Sequence, residues 1–454
     1  MMKVTNVDLL NGKILKSLII FSIPIFVSNL FQQLYNTIDI MIVGNNLDES
    51  ALAAMGASAA IFEMLMGFVL GSGNGFSMVV ARIYGSGDRK LLRKSVAGAL
   101  VIGMAIILVI MALSYFGLYP LLELLNTPEN IIDDAYSYIF IIAIFVSVMF
   151  LYNLFAGFLR AVGNSFMPLI FLIVSSVLNI VLDILFIIKL GMGIQGAAIA
   201  TVISQGISSV LCVIYIVCKC KILIPKKEDF RFDKELYKEL FAQGMSMGIM
   251  LLVVSAGTVI LQSAINGFGD SIIAGHTTAR KINSFAYMPE LALALSLATF
   301  VSQNKGANKI DRIKRAVKYS NIFSIIWGIF ATIILAVFSP FLVKLLSNSD
   351  NQELISYANK YLVINAAFYP VLGVLFNMRN SLQAMGQKIL PLISSGIELV
   401  GKIIFVILLI PILDSMGIII CEPVIWCFMC LQLVFSFYTN QDIKKSKKKL
   451  KKVL

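Results

Sequence analysis

Histidine and charged residues are scarce in this chain of 454 residues. His276 is the only histidine, so neither a metal site made of several histidines nor a catalytic centre with paired histidines has the residues it needs. Charged residues make up 14% and hydrophobic residues 59%, with a mean hydropathy of +0.89. An ordinary globular protein is about a quarter charged. The composition therefore excludes a soluble protein and predicts one that lies in a bilayer.

Cysteine is also too sparse, and too deeply placed, for a disulfide framework. The six cysteines fall in or beside two apolar runs near residues 212–220 and 421–430, and none is in a loop predicted to face outward. Cys427 and Cys430 have the spacing of a redox pair, but inside an apolar helix this spacing favours two small packed side chains.

Apolar runs of about 20 residues, long enough to cross a bilayer core of ~30 Å, recur from end to end. The first run is not a cleavable signal, because it continues past Pro24 into the polar stretch 32–39. We predict twelve crossings, at 15–40, 52–80, 95–118, 135–159, 168–190, 195–218, 238–264, 272–301, 316–340, 355–379, 389–411 and 417–438.

The net charge of +12 is unevenly distributed along the chain. Basic residues concentrate in alternate loops, at 82–94, 219–238 and 305–318, and in the tail 444–452. By the positive-inside rule both termini are cytoplasmic in a multi-pass protein of the inner (plasma) membrane. The tail then serves as a topology anchor that touches anionic lipid, and we expect no binding of nucleic acid.

The two halves of the sequence align with each other at offsets of 220 to 223 residues. The segment 80–85 matches 301–306, and 159–164 matches 382–387. We predict an all-α integral membrane protein with twelve transmembrane helices in two six-helix lobes, related by a pseudo-two-fold axis along the membrane normal. The predicted parts are an N-terminal lobe (1–218), a cytoplasmic linker (219–237), a C-terminal lobe (238–438) and a basic tail (439–454). Rocking of two such lobes around a central cleft provides alternating access.

An aspartate, Asp39, lies deep in the first predicted crossing, whereas the second half has the apolar Val259 at the equivalent position. Acids in the hydrocarbon region are costly and usually functional. In the fifth crossing Asn179 and Asp183 are four residues apart, and therefore on one helix face. If Asp39 and Asp183 meet, both cannot ionise cheaply, so one should hold a proton or the pair should share a monovalent cation. Neutral groups for such a site are available at Asn179, Thr201, Tyr138 and Asn153, and Tyr35 and Asn36 lie on the same face as Asp39.

The other intramembrane acids have less specific interpretations. Glu398 precedes Lys402 by four residues, which favours a structural ion pair. Glu290 and Glu422 are each next to a proline, so each either satisfies backbone groups loosened there or binds substrate.

Three further charged residues could face the central cleft. Glu63 lies in the second crossing, and Arg280 and Lys281 lie in the matching part of the eighth. They either act in the cleft or pack against neighbouring helices.

Several short motifs, in this order, resemble the multidrug and toxic compound extrusion (MATE) family, and particularly its prokaryotic branch with a first-lobe cation site. The resemblance covers essentially the whole chain. The motifs are Gln33-Leu34-Tyr35-Asn36 with Asp39, Ala51-Leu52-Ala53-Ala54-Met55-Gly56, Ala81-Arg82-Ile83-Tyr84-Gly85, Gly157-Phe158-Leu159-Arg160-Ala161-Val162-Gly163-Asn164 and Gln303-Asn304-Lys305-Gly306-Ala307.

The resemblance implies antiport, in which entry of H⁺ or Na⁺ drives export of bulky, usually cationic and amphipathic organic compounds. It implies a coupling site at Asp39, Asn179, Asp183 and Thr201, with no cofactor besides the ion, and bending of the first helix at Pro24. We expect a monomer embedded in membrane lipid, and the choice between H⁺ and Na⁺ stays open.

The main alternative is a flippase for lipid-linked oligosaccharides, which resembles this family in its duplicated fold. Such a protein favours a cleft rich in cations, whereas the clear intramembrane cations here are Arg280, Lys281 and Lys402. An integral-membrane enzyme would need a catalytic cluster such as paired histidines or a Ser/His/Asp set, and a sequence with one histidine does not favour it. A channel more naturally forms from several identical subunits than from two fused halves.

Overall fold

The computed structural model describes residues 6–125 and 127–444, and these are almost entirely helical. Residues 445–454 of the predicted basic tail lie outside the described residues. The helices are α1 Ile14–Asn46, α2 Glu49–Ser86, α3 Arg89–Leu124, α4 Glu129–Ile144, α5 Val146–Ala161, α6 Phe166–Asp183, α7 Gly193–Lys219, α8 Lys234–Ile265, α9 Asp270–Gly306, α10 Ile310–Ser347, α11 Gln352–Ala366, α12 Tyr369–Ala384, α13 Ile389–Ile404, α14 Ile410–Leu413 and α15 Ser415–Thr439.

Within residues 6–125 and 127–444, ten segments are long and apolar enough to cross a membrane unaided, and two more candidate crossings are bent helix pairs. The pairs are α4 with α5, bent by 45°, and α11 with α12, bent by 54°. Counting each pair as one crossing gives twelve, so the predicted all-α, twelve-helix fold class is confirmed.

The crossings predicted over 135–159 and 355–379 correspond to these two bent helix pairs. In the second pair the break precedes Pro370, which has no N–H to continue the helical hydrogen bonds of α11. In the first pair the break falls at Phe145, where the chain has no proline or glycine to mark it.

Two short π-helical segments interrupt crossings at equivalent places in the two halves. Ile184–Lys189 follows α6 directly after Asp183, and Phe405–Leu409 follows α13. Such segments are rare and are often found at functional sites. The repeat is also visible in the turns after α5 and α12, where Gly163 and Gly386 have φ angles of 94° and 89° that favour glycine.

Packing divides the chain into two units. Unit 1 comprises Ile23–Leu252 with the N-terminal segment up to Asp8, and unit 2 comprises Leu9–Ser22 and Val253–Leu454. These bounds differ from the lobes predicted at 1–218 and 238–438. Residues of α1 up to Ser22 pack within unit 2, and residues of α8 up to Leu252 pack within unit 1.

The predicted linker 219–237 is fixed to unit 1 by ion pairs. Asp229 is buried and accepts hydrogen bonds from the Lys226 N–H at 2.9 Å and from Arg93 Nε at 3.1 Å. Burial raises the pKa of Asp229, but these two donors outweigh it, so the net pKa lies below its ordinary value. Lys94 Nζ pairs with Asp233 at 3.4 Å.

Paired glycines explain why the first part of α8 belongs to unit 1. A Cβ atom on Gly71 of α2 would lie 2.4 Å from the Met247 carbonyl oxygen, and one on Gly75 would lie 2.6 Å from the Gln243 carbonyl oxygen. Small residues allow helix backbones to approach this closely inside a membrane. The contact of α2 with α8 therefore depends on the absence of side chains at these positions.

We expect Gly71→Ala to destabilise the protein, because its Cβ meets a backbone atom that cannot rotate away. Overpacking of this kind costs about 1–3 kcal/mol. Gly56→Ala is the matched control, since it lies in the same helix with nothing within 4 Å of its Cβ position. Unfolding of both variants in detergent measures the difference, and equal stabilities would contradict the close α2–α8 contact.

Candidate cation-coupling site

The four residues predicted for ion coupling lie together in unit 1. Asp39 comes from α1, Asn179 and Asp183 from the last turns of α6, and Thr201 from α7. Asn179 Nδ2 is 3.5 Å from Thr201 Oγ1. The Asp39 and Asp183 carboxyl groups are close enough to interact electrostatically. Asp183 is fully buried and Asp39 is 8% exposed, so the group is shielded from solvent.

The site contains more hydrogen-bond acceptors than donors. Asp39 Oδ1, Asn179 Oδ1 and both Asp183 carboxylate oxygens are buried and accept no hydrogen bond from any described residue. An unsatisfied buried acceptor costs about 1–3 kcal/mol. A proton or a monovalent cation would satisfy several of these oxygens at once.

The chemistry of the donor atoms fits a hard cation. The groups that meet here are carboxylate, amide and hydroxyl oxygens, which suit hard cations better than soft transition metals. Within residues 6–125 and 127–444, no three His, Cys, Asp or Glu side chains are arranged to hold a metal ion.

A small polar cavity lies beside this group in unit 1. Its lining consists of hydroxyl, amide and phenol side chains, which are Tyr35, Ser175, Ser176, Asn179, Thr201, Ser204 and Gln205. Sequence reasoning missed Ser175, Ser176, Ser204 and Gln205. Their spacing of three or four residues from Asn179 and Thr201, on the same faces of α6 and α7, was a usable signal.

The predicted neighbours of the site differ in their positions. Tyr35 is buried one turn before Asp39 and interacts with Gln205, and Tyr138 is close enough to Asp39 and Asp183 to interact electrostatically with both.

Two other predicted neighbours and the helix-one proline contribute less directly. Asn36 is partly exposed on α1. Asn153 donates to the Met149 carbonyl of its own helix at 2.8 Å, so its amide is used within α5. Pro24 lies inside α1, which continues through it, and Ser28 Oγ donates to its carbonyl at 2.8 Å. Bending of α1 at Pro24 stays a prediction.

The three residues predicted as cleft charges are not buried in either unit. Glu63 is exposed on α2, and Lys281 is exposed on α9. Arg280 is half-buried in unit 2, where it interacts electrostatically with Glu422 and His276. A role for these residues in a cleft stays a prediction.

Unit 2 contains a network of paired charges at the position equivalent to the first-half site. Lys402, which aligns with Asn179, is 2% exposed, and its Nζ is 3.1 Å from Glu398 Oε1 and 3.8 Å from Glu422 Oε1. Arg379 Nη2 lies 3.6 Å from Glu398 Oε2, and Tyr361 donates to Glu422 at 3.1 Å. The predicted Glu398–Lys402 pair is confirmed. Glu422 belongs to this network, because its carboxylate oxygens pair with Lys402 and accept a hydrogen bond from Tyr361.

Comparison with known proteins identifies relatives along most of the chain. A family model described as MatE matches residues 24–185 and 246–408. The "Probable multidrug resistance protein YpnP" of Bacillus subtilis (strain 168) is 29% identical over 388 residues, which cover 84% of this chain and 85% of that protein. The "Probable multidrug resistance protein YoeA" of the same organism is 28% identical over 437 residues, which cover 93% of each chain.

A solved structure has the same fold. It is described as the outward-facing conformation of a multidrug resistance MATE family transporter of the MOP superfamily. Its TM-score is 0.88 at 22% identity, over 97% of this chain and 99% of that one. The two segments matched by the family model correspond to the two halves of the internal repeat.

Proposed function

The chain belongs to the MatE family of membrane transporters, and we propose that it exports small organic compounds by antiport against H⁺ or Na⁺. It is a multi-pass membrane protein and not an enzyme. The relatives YpnP and YoeA carry names that refer to multidrug resistance. We therefore assign multidrug efflux to this chain, with cationic and amphipathic compounds as its substrates and with both termini in the cytoplasm.

The observation that carries the proposal is the surplus of acceptors at Asp39, Asn179 and Asp183. A site of this kind is stabilised when it gains a proton or a cation, and any conformation that disrupts it loses that stabilisation. Binding of the ion is thereby coupled to a change of conformation. In our proposal the ion enters from outside, disfavours bound substrate and returns the empty transporter to its inward-open state.

One ion supplies enough energy for useful export. Moving one charge inward through 100 mV releases about 2.3 kcal/mol, which corresponds to roughly fifty-fold accumulation of a neutral substrate under tight coupling.

Substrates are held by apolar and aromatic contacts in this proposal. The chain has 20 methionines and 31 phenylalanines. Methionine side chains adapt to varied shapes, and aromatic faces attract cations. Weakly directional contacts of these kinds accommodate a broad set of compounds.

Reconstituted vesicles test the proposal. The protein is incorporated into liposomes with a fluorescent cationic dye, and either a pH gradient or a Na⁺ gradient is imposed. We expect one of the two ion gradients to drive the dye against the concentration gradient of the dye. Protein-free vesicles should show no such dye movement. Dye movement that follows only the dye gradient, whichever ion is supplied, would contradict antiport.

A further inference from the structure

We propose that Glu290 is a second proton-binding site, located in unit 2 and built from residues outside the Asp39 site. The carboxyl group holds a proton in the conformation described here and exchanges it when α9 and α12 separate. This site is additional to the ion site proposed above for antiport, and it is formed by a different cluster of side chains.

Glu290 is a completely buried acid without a partner. Its exposed fraction is 0%, and neither carboxylate oxygen accepts a hydrogen bond from any residue that the structure describes. A buried ionised carboxylate without a cation or donors is strongly disfavoured, and the group becomes neutral instead. The other intramembrane glutamates of unit 2, Glu398 and Glu422, are both paired with Lys402.

Polar side chains from two neighbouring helices surround Glu290. A Cβ atom on Gly373 of α12 would lie 2.8 Å from Glu290 Oε1 and 2.5 Å from Ser324 Cβ of α10, so all three residues meet at one point. Asn377, one turn further along α12, donates to Ser324 Oγ at 3.1 Å. Its own Oδ1 is buried without a donor. A carboxylic acid hydroxyl is a donor, and this cluster offers acceptors for it.

The internal repeat shows that the cluster is specific to the second half. At the offsets of 221 and 223 residues, Ser324 and Gly373 align with Gly103 and Phe150. In unit 1 the Phe150 ring fills this place, and its Cζ would lie 2.4 Å from a Cβ on Gly103. In unit 2 the ring is replaced by glycine, and the Glu290 carboxyl lies against that glycine instead. The residue that aligns with Glu290 is apolar, either Val69 or Leu70.

The surroundings favour a proton over a metal cation. Glu290 Oε1 packs directly against Gly373, which leaves little space for an ion with several oxygen ligands. A proton needs no such space, and a single hydrogen-bond acceptor is enough for it.

Few other titratable groups face Glu290. On α12 Tyr369 is close enough to Glu290 to interact with it electrostatically, and its hydroxyl donates to Asn283 Oδ1 of α9. Arg379 of α12 pairs with Glu398. On α10 the chain between Ser320 and Ser339 contains no ionisable residue, and on α11 Tyr357 and Tyr361 lie near His276. On α9 itself, Tyr287 lies one turn before Glu290. The protonation of Glu290 is therefore set by its own burial.

Exchange of the proton requires movement of α12, because Gly373 covers the carboxyl group. The 54° break between α11 and α12 provides a joint at which α12 can move separately from α11. We expect the proton to leave when this contact opens.

Infrared spectroscopy of the purified full-length protein in lipid nanodiscs tests the protonation. Carbon-13 labelling of glutamate shifts glutamic acid bands and leaves aspartic acid bands in place. We expect one labelled carboxylic acid band at neutral pH, because every other described glutamate is exposed or ion-paired. The infrared measurement does not depend on transport, so it tests the protonation of Glu290 even if the antiport proposal is wrong.

Glu290→Gln should remove that band, and an Asp39→Asn, Asp183→Asn variant should keep it. Absence of a labelled acid band in the unmodified protein would overturn the proposal without any variant. Loss of the band on adding NaCl at constant pH would also overturn it, because Glu290 would then bind Na⁺.

Proton release on binding of tetraphenylphosphonium tests the exchange. In weakly buffered solution with a pH-sensitive dye, Glu290→Gln should release fewer protons per bound substrate than the unmodified protein. Glu353→Gln, at an exposed position in the first turn of α11, is the matched control and should release as many. Equal release from Glu290→Gln and the unmodified protein would show that the proton is not exchanged.

Discussion

Asp39→Asn should abolish ion-driven dye export and lower dye accumulation by about tenfold under a tenfold ion gradient, because one-for-one exchange of two monovalent cations moves no net charge and only the ion gradient drives it. The amide has nearly the shape of the carboxyl group, but it neither takes up a proton nor carries the charge that attracts a cation. Asp183 then stands alone and no longer forms an acid pair. The measurement is dye accumulation in energised vesicles, with the amount of protein held equal.

Glu123→Gln serves as the control for Asp39→Asn, because it removes one exposed carboxylate from a helix of the same unit. Its dye export should equal that of the unmodified protein. Export at the unmodified level in Asp39→Asn would remove Asp39 from the mechanism.

The second large effect concerns stability and arises in unit 2. Lys402→Met removes the cation shared by Glu398 and Glu422 from a position that is 2% exposed. Removing one partner of a buried ion pair costs about 3–5 kcal/mol, because an uncompensated charge stays behind. Glu422 should be affected most, since it keeps only the Tyr361 hydrogen bond and the electrostatic interactions with Arg280 and His276, whereas Glu398 keeps its ion pair with Arg379. Denaturant unfolding in detergent measures the loss.

A double variant and a surface variant serve as controls for this loss of stability. Lys402→Met combined with Glu422→Gln should recover much of the stability, because a neutral amide then replaces the Glu422 carboxylate that lost its cation. Lys344→Met breaks the pair with Asp350, whose side chains are 61% and 83% exposed, and should cost at most about 1 kcal/mol. Equal losses for Lys344→Met and Lys402→Met would contradict a structural role for the buried network.

Helical spacing explains why the cluster of Asp39, Asn179 and Asp183 could be predicted from the sequence. Asn179 and Asp183 lie one turn apart, and Asp39 is an acid in an apolar crossing without an equivalent in the second half. The twelve crossings follow from the lengths of the apolar runs. Both signals are local or periodic, and they do not depend on how the helices pack.

Packing determines what the sequence does not reveal. The bend at Phe145 and the division of α1 and α8 between two units depend on contacts with other helices. Glu290 illustrates the same limit. Its neighbouring proline suggests that the carboxyl group satisfies backbone atoms, but its oxygens accept no hydrogen bond from described residues, and Gly373 covers it.

The two halves of the repeat use equivalent helices differently. In unit 1 they hold oxygens that lack donors, whereas in unit 2 Lys402 replaces Asn179 and satisfies two carboxylates. A site with unsatisfied groups can gain an ion, whereas a closed ion network stabilises one arrangement. We therefore propose that Asp39 and Asp183 of unit 1, and not the network of unit 2, couple the ion to export.

Binding of a cationic dye to the purified protein, measured while the coupling ion is added, tests exchange at Asp39 and Asp183 most directly. Because linkage is reciprocal, the ion should weaken dye binding by the same factor by which the dye weakens ion binding. The Asp39→Asn, Asp183→Asn variant should bind dye with an affinity that no longer depends on the ion. If the dye affinity of that variant falls with the ion as steeply as in the unmodified protein, these two acids do not couple the ion to export.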